Sequence, residues 1–283
     1  MAVTLPRDVL ARYYRFSLYN SPFDAHDEGC AIDLYPEGGR APSPVAGEVL
    51  DTKTVRAPPK AYAAEHDHLV LIDTGEHVAR LLHVDPRVEP GDSVAVGDEL
   101  GDLVRAGFFA PWVPNHVHLG FRDPDANPYR ASGSLPVDVA VDVAAVPWDG
   151  TGTVVAAGET WARLDAPEHP APGERFAGVA NDVGGEESGV LDGGLPHYDG
   201  GGLLGGSGCE RAALAGRRVG TADGRTVAWD DVTVLANGEP VTGIALFCDR
   251  KRAGVKLVGR DIDLDVGDAV RVTIEGVGGA DSG

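Results

Sequence analysis

A chain of 283 residues has room for a substantial core and for two domains. Its 44 acidic and 24 basic residues leave a formal net charge of −20, a surface that repels DNA, RNA and anionic membranes and so excludes them as partners. The only lysines are Lys53, Lys60, Lys251 and Lys256, and this acidic, lysine-poor, Ala/Val/Gly-rich composition resembles that of proteins from extreme halophiles, where salt screens self-repulsion.

In chain order, Met1–Tyr19 carries Arg7, Asp8, Arg12 and Arg15 without an apolar run, so no secretory signal is expected there. No stretch reaches the ~18 consecutive apolar residues of a membrane helix. Three widely spaced cysteines (Cys30, Cys209, Cys248) fit thiols in a reducing cytoplasm, with no disulfide framework and no Cys-x-x-Cys zinc site. Leu5–Tyr14 suits a short helix, and the rest reads as β. Strands are expected at Cys30–Leu34, Gly47–Thr52, Leu69–Asp73, Ala79–Val84, Ser93–Val96 and Val117–Arg122. They are separated by turns such as Pro90-Gly91-Asp92 and Gly97-Asp98, the pattern of a compact β-sandwich or barrel.

Asn127–Pro136 reads as the exit from this domain and Pro147-Trp148-Asp149-Gly150 as a boundary, giving domains 1–146 and 147–283. In the second, β-rich domain, strands are expected at Gly152–Ala157, Trp161–Leu164, Val232–Leu235, Ile244–Cys248, Val255–Val258 and Ala269–Ile274, with Asn237-Gly238 as a hairpin turn. Gly184–Gly208 is so rich in glycine that ordering it costs much entropy and buries little, so a mobile loop is expected. With no cluster of ligand-type residues, this domain reads as a packing or partner-binding unit.

The chemistry concentrates in the first domain. In an extended strand His116 and His118 project on one face about 6–7 Å apart, with Leu119 and Phe121 on the other. Two such imidazoles can divide the work of a hydrolytic metal site, one ligating and one moving a proton. His66-Asp67-His68 repeats the pattern, and with His77 it reads as solvated. Upstream, Ser21–Leu34 leads into an apolar strand carrying Asp33. Ala41-Pro42-Ser43-Pro44-Val45-Ala46-Gly47 is a turn feeding the next strand. Leu81-Leu82-His83-Val84-Asp85 precedes the meander Val88–Gly101.

The order of these pieces, over residues 16–130, resembles the M23 (lysostaphin-like) zinc metallopeptidases, which share the duplicated-hybrid-motif β-fold. The resemblance implies one zinc ion held by Asp33 and His118, with His116 and His83 assisting the attacking water and the oxyanion. It implies hydrolysis of an amide bond in a peptide or peptide-like substrate. The family's first ligand His stands four residues before the Asp, where this chain has Gly29. His26 is expected as the third ligand provided that Ala25–Gly29 loops back, and Gly29 eases that bend. Strand parity points Cys30 away from Asp33. Trp112, between Pro111 and Pro114, is a candidate wall of the substrate groove. Two rival readings remain: a non-catalytic binding or scaffold module of the same fold, favoured by Gly29, and a phosphohistidine carrier at His83 with His68 as its neighbour. A biotin- or lipoyl-carrier reading of Val88–Gly101 fails, since no lysine lies between Lys60 and Lys251.

Overall fold

β-Branched residues and leucines, bounded by Gly, Pro and Asp turns, favour strands along nearly the whole chain. The computed structural model describes residues 2–183, 188–206 and 208–276, and in it these strands build two all-β units. The first takes the chain to Leu18 and Phe23–Val141, and the second takes Tyr19–Pro22 and the chain from Asp142 onward. The division falls ahead of the 146/147 boundary expected from the sequence, because Val143–Val146 pairs in parallel with Phe176–Val179.

The first unit contains β1 (Val3–Leu5), a one-turn helix α1 (Arg7–Leu10), β2 (Arg15–Ser17), β3 (Ala31–Tyr35), β4 (Arg40–Pro42), β5 (Gly47–Arg56), β6 (His66–Asp73), β7 (Val78–Leu82), β8 (Val84–Pro86), β9 (Ser93–Val94), β10 (Glu99–Leu103), β11 (Val117–Arg122) and β12 (Val137–Val139). The main sheet runs β2-β3-β11-β7-β6-β5-β9, and β4-β10-β8 form a smaller one. β5 and β6 extend further than expected. Their polar ends pair as Arg56↔His66, Val55↔Asp67 and Thr54↔His68, a continuation that hydrophobic periodicity does not mark.

Register explains how the sheet can hold polar groups. Ile32, Leu119, Leu81 and Val70 pair in one row across β3, β11, β7 and β6, and all are fully buried. Burying each contributes roughly 1.5–3 kcal/mol. The adjacent row, Asp33, His118, Leu82 and Leu69, therefore projects from the opposite face. One expectation is corrected here. Ala79–Val84 is not a single strand, because His83 adopts the left-handed φ of 71° and breaks the chain between β7 and β8. The corner is tied on both sides, by the His83 N–H to the His68 carbonyl (3.2 Å) and by the Val104 N–H to the His83 carbonyl (2.8 Å).

In the second unit a twelve-stranded sheet encloses a core that includes Leu191, Leu195, Leu203, Val219, Ile244 and Leu257. The loop expected over 184–208 is also corrected, apart from residues 184–187 and 207, which lie outside the described residues. Val190–Leu195 is a fully buried strand paired with Gly200–Leu204 on one side and Gly243–Leu246 on the other. Its neighbours supply the reason for the glycines. A Cβ at Gly201 would stand 2.1 Å from the Trp229 ring, and one at Gly202 2.0 Å from the Tyr19 ring, so only hydrogen fits between strand and aromatic face. Asn237-Gly238, with φ of 52° and 89°, makes the expected hairpin turn, but it joins Val232–Ala236 to Glu239–Val241 rather than to Ile244–Cys248. Among the described residues no helix is long and apolar enough to cross a membrane.

Gly201→Ala and Gly202→Ala are each expected to destabilise the protein by about 1–3 kcal/mol through overpacking. Gly276→Ala, where a Cβ would meet nothing within 4 Å, should change stability by less than ~0.5 kcal/mol in the same denaturant titration.

Candidate metal centre

β3 and β11 place Asp33 directly opposite His118, and antiparallel pairing turns both side chains to the same face. His26 arrives from outside the sheet. Asp24–Gly29 forms a tight 3-10 segment that kinks at Asp27 (ψ 137°) and reverses through two left-handed residues, Glu28 (φ 55°) and Gly29 (φ 68°). The Cys30 N–H then bonds the Asp27 carbonyl and the chain enters β3. Gly29 is thus part of the bend that carries His26 back over Asp33. A histidine there would sit in left-handed backbone ahead of the strand, and the nearby imidazole comes instead from position 26.

Three donor atoms converge. His26 Nε2 lies 3.1 Å from His118 Nδ1 and 3.3 Å from Asp33 Oδ1, and His118 Nδ1 lies 3.0 Å from Asp33 Oδ1. Ligands about 2.0–2.1 Å from a tetrahedral zinc stand ~3.3 Å apart, so the triangle has the dimensions of three zinc ligands. Among the described residues these three form the one group of His, Cys, Asp or Glu donors close enough together to hold a metal. Cys30 is not in it. The tautomers agree with ligation: His26 Nδ1 donates to the Leu18 carbonyl at 2.8 Å, which leaves Nε2 as a lone pair aimed at a carboxylate. Two electron-rich atoms held that close in a buried site need a proton or a cation between them. The His118 Nδ1 proton can fill that place, and a metal can displace it.

His116 stands beside this triangle, its Nε2 3.4 Å from Asp33 Oδ1 and its Nδ1 donating to the Pro114 carbonyl at 2.9 Å. Phe109 stacks on its ring at 4.5 Å, and Tyr35 lies 5.1 Å away. His83 is 5.1 Å from His116 and 5.9 Å from His118, ring to ring, and meets Phe109 edge-on at 4.5 Å. His83 Nδ1 donates to Asp67 Oδ2 at 2.7 Å, while Asp67 Oδ1 accepts the His68 N–H at 2.8 Å. Asp67 and Phe109 are the site residues that sequence reasoning missed. The signal for Asp67 was present: in His66-Asp67-His68 the strand period points the central residue opposite to its neighbours, and it is the fully buried one.

Of the other sequence candidates, His68 turns toward Thr54 (3.2 Å) and Asp85 (3.6 Å), His77 packs against Phe121, and His66 is exposed. Trp112 lies half-buried in the turn ahead of His116, and Phe109 of the same segment packs on His116 and His83.

Burial shapes the protonation states. It pushes His116 and His118 down to about 4, although Asp33 pulls the other way. Burial also works against charge on Asp33, but its histidine neighbours His116, His26 and His118 prevail and hold its carboxyl well below the usual range. Asp67 follows the same pattern: burial opposes its charge, and the hydrogen bond and charge of His83 more than offset that. At neutral pH His116 and His118 are therefore neutral beside an ionised Asp33, and a neutral imidazole and a carboxylate are what metal ligation needs.

Residues 4–139 match the model of the N-terminal domain, and residues 144–275 that of the C-terminal domain, of a family described as a domain of unknown function (DUF8155). No curated protein and no solved structure matches the chain.

In the metal-free protein, His116 and His118 take up protons near pH 4 when folded and near 6.5 when unfolded. The unfolded chain therefore binds more protons between those values, and stability present above pH 6.5 is lost as pH falls toward 4. Thermal melts in chelator should show this fall, and His116→Gln should flatten it. Equal slopes for the two proteins would contradict the assignment.

Proposed function

We propose that this chain, which belongs to the DUF8155 family through both of its halves, is an M23-like zinc-dependent amide hydrolase acting on a peptide or peptide-like substrate. The observation that carries the reading is the triangle of His26 Nε2, Asp33 Oδ1 and His118 Nδ1, with edges of 3.0–3.3 Å and two further histidines beside it. Two nitrogens and one carboxylate oxygen leaving a fourth position open is a donor set of catalytic zinc. Zinc held there would supply a bound water acidified toward a pKa of ~7 and would polarise the scissile carbonyl.

The remaining work belongs to the chain's own groups. His116, neutral because burial holds it near 4 and fixed in one tautomer by the Pro114 carbonyl, accepts the proton of the attacking water at Nε2. His83, anchored through Nδ1 on Asp67, donates from Nε2 to the developing oxyanion in its doubly protonated form, which the Asp67 carboxylate stabilises. A cytoplasmic, salt-rich setting accords with three cysteines that are all thiols and with the acidic composition.

The support that Gly29 lent to the non-catalytic module weakens once His26 stands beside Asp33. The phosphohistidine reading fits less well, because His83 is buried beneath Phe109 and His68 faces Thr54 and Asp85.

Protein purified without chelator should contain about one zinc per chain by mass spectrometry, and His26→Ala and His118→Ala should each lose it. No zinc in the wild type, even after adding it back, would remove the reading. On a cleaved peptide from a library screen, His116→Ala should keep the metal and lose ~10²–10⁴-fold in kcat. Asp67→Asn should keep the metal and lose ~10–100-fold. Full zinc loading without cleavage of any peptide would favour the binding module.

A further inference from the structure

We propose that Ala106–Pro114 is a lid over the metal centre, and that the Phe109 ring fills the slot that a flat apolar side chain of the substrate enters when the lid opens. The proposal rests on the reading of the centre as a hydrolytic site and adds to it how substrate gains entry and what part of it is recognised.

The first observation is closure. His26 and His116 are 4% and 3% exposed, Asp33 is 3%, and His83 and His118 are 8% each. An attacking water and an amide must reach His116 and His83, and Phe109 packs against both rings. Its ring stacks on His116 at 28° and meets His83 at 86°, with both centroid distances 4.5 Å. The side chain is itself 6% exposed. Catalysis at these groups needs Phe109 displaced.

The second observation is how the segment is held. It contains no strand of the two sheets, and within it the Phe109 N–H bonds the Ala106 carbonyl and the Val113 N–H the Ala110 carbonyl. It is joined to the rest of the unit by a single β-bridge, Ala64 to Ala106, by the His116 ring on the Pro114 carbonyl, by the aromatic contacts of Phe108 and Phe109, and by side-chain hydrogen bonds to its carbonyls. The Tyr62 hydroxyl donates to the Phe109 carbonyl at 2.8 Å, and the Arg105 guanidinium donates to the carbonyls of Pro111, Ala110 and Val113. Gly107 lies so close to the facing loop that a Cβ would stand 1.9 Å from the Pro58 carbonyl oxygen. A segment outside the regular strand ladders, with one β-bridge at its end, can open without unfolding the sheet beneath it.

The third observation is the character of the slot. With Phe109 withdrawn, the faces left behind are His116, backed by Tyr35 at 5.1 Å, and His83. A planar apolar group reproduces the stacking that Phe109 gives up, whereas a charged, non-aromatic one does not. At the rim Phe23, 46% exposed, meets Phe108 edge-on at 6.2 Å, so the approach is aromatic as well.

The test needs neither metal nor turnover. Chelator-treated protein is reacted with diethyl pyrocarbonate, and the modification of His83 and His116 is followed by mass spectrometry, with exposed His66 as internal reference. Both histidines should react far more slowly than His66 in the wild type. Tyr62→Phe, which removes one hydrogen bond at the margin and touches neither histidine, should accelerate them about three- to tenfold. Gly107→Ala should accelerate them at least as much, with the His66 rate unchanged. In Tyr62→Phe, excess N-acetylphenylalaninamide should protect His116 and N-acetylglutamate should not. Unchanged His83 and His116 rates in both variants would mean a fixed wall and overturn the lid. Equal protection by the two amino acid derivatives, or none, would overturn the slot. Because zinc content is measured separately, a failure of the metal reading is distinguishable from a failure of the lid.

Discussion

The pairing of Asp33 with His118 across β3 and β11 is the contact on which the rest of the site depends. A carboxylate 3% exposed is costly to bury as an ion unless groups that favour its charge surround it. His118 can supply a proton at Nδ1 from the facing strand, while His26 from the bent 3-10 segment and His116 from the head of β11 set Nε2 3.3 and 3.4 Å from the same oxygen, an arrangement that a cation completes. Each is held from behind by a backbone carbonyl or by the sheet. What fixes the carboxylate in turn is the apolar row Ile32–Leu119–Leu81–Val70 on the reverse face, since a slip of one residue would exchange the two rows. Site geometry and core packing are thus one constraint seen from two sides of a sheet.

The same coupling decides what could be read from the sequence. Asp33, His116 and His118 were legible because strand period alone puts two histidines on one face, and because the order of pieces resembles a known family. His26 was legible only as a conditional, since it required a bend that Glu28 and Gly29 provide through consecutive left-handed residues. The break at His83 was not legible: Leu81-Leu82-His83-Val84 reads as an uninterrupted apolar strand, and only tertiary ties to His68 and Val104 hold a histidine at φ 71°. Phe109 was hidden for a related reason. It lies in an irregular segment whose direction is set by Tyr62 and Arg105, well separated from it in sequence or bonded through carbonyls that carry no residue signature. In the second unit the glycines of Val190–Leu204 misled because the entropy of ordering them is a local property. The close approach of Trp229 and Tyr19 that rewards them is not.

Surface and site answer to different electrostatics. Arg40, Arg87, Glu99 and Asp102 form an exposed ion-pair network on the smaller sheet of the first unit, where each pair contributes little and salt weakens it further. The His26–Asp33–His118 cluster is buried, and its attractions are screened far less. A protein of net charge −20 can therefore vary its surface with its medium and still keep a neutral-imidazole, ionised-carboxylate core ready for a cation.

The central claim is that His26, Asp33 and His118 hold one zinc with a fourth position open. X-ray absorption at the zinc edge of the loaded protein tests it most directly. The account predicts a first shell of nitrogen and oxygen only, about four atoms at ~2.0–2.1 Å, with the outer-shell scattering of two imidazoles. Sulfur at ~2.3 Å would bring Cys30 or another thiol into the shell and contradict the ligand set. A shell without imidazole scattering would contradict it as well.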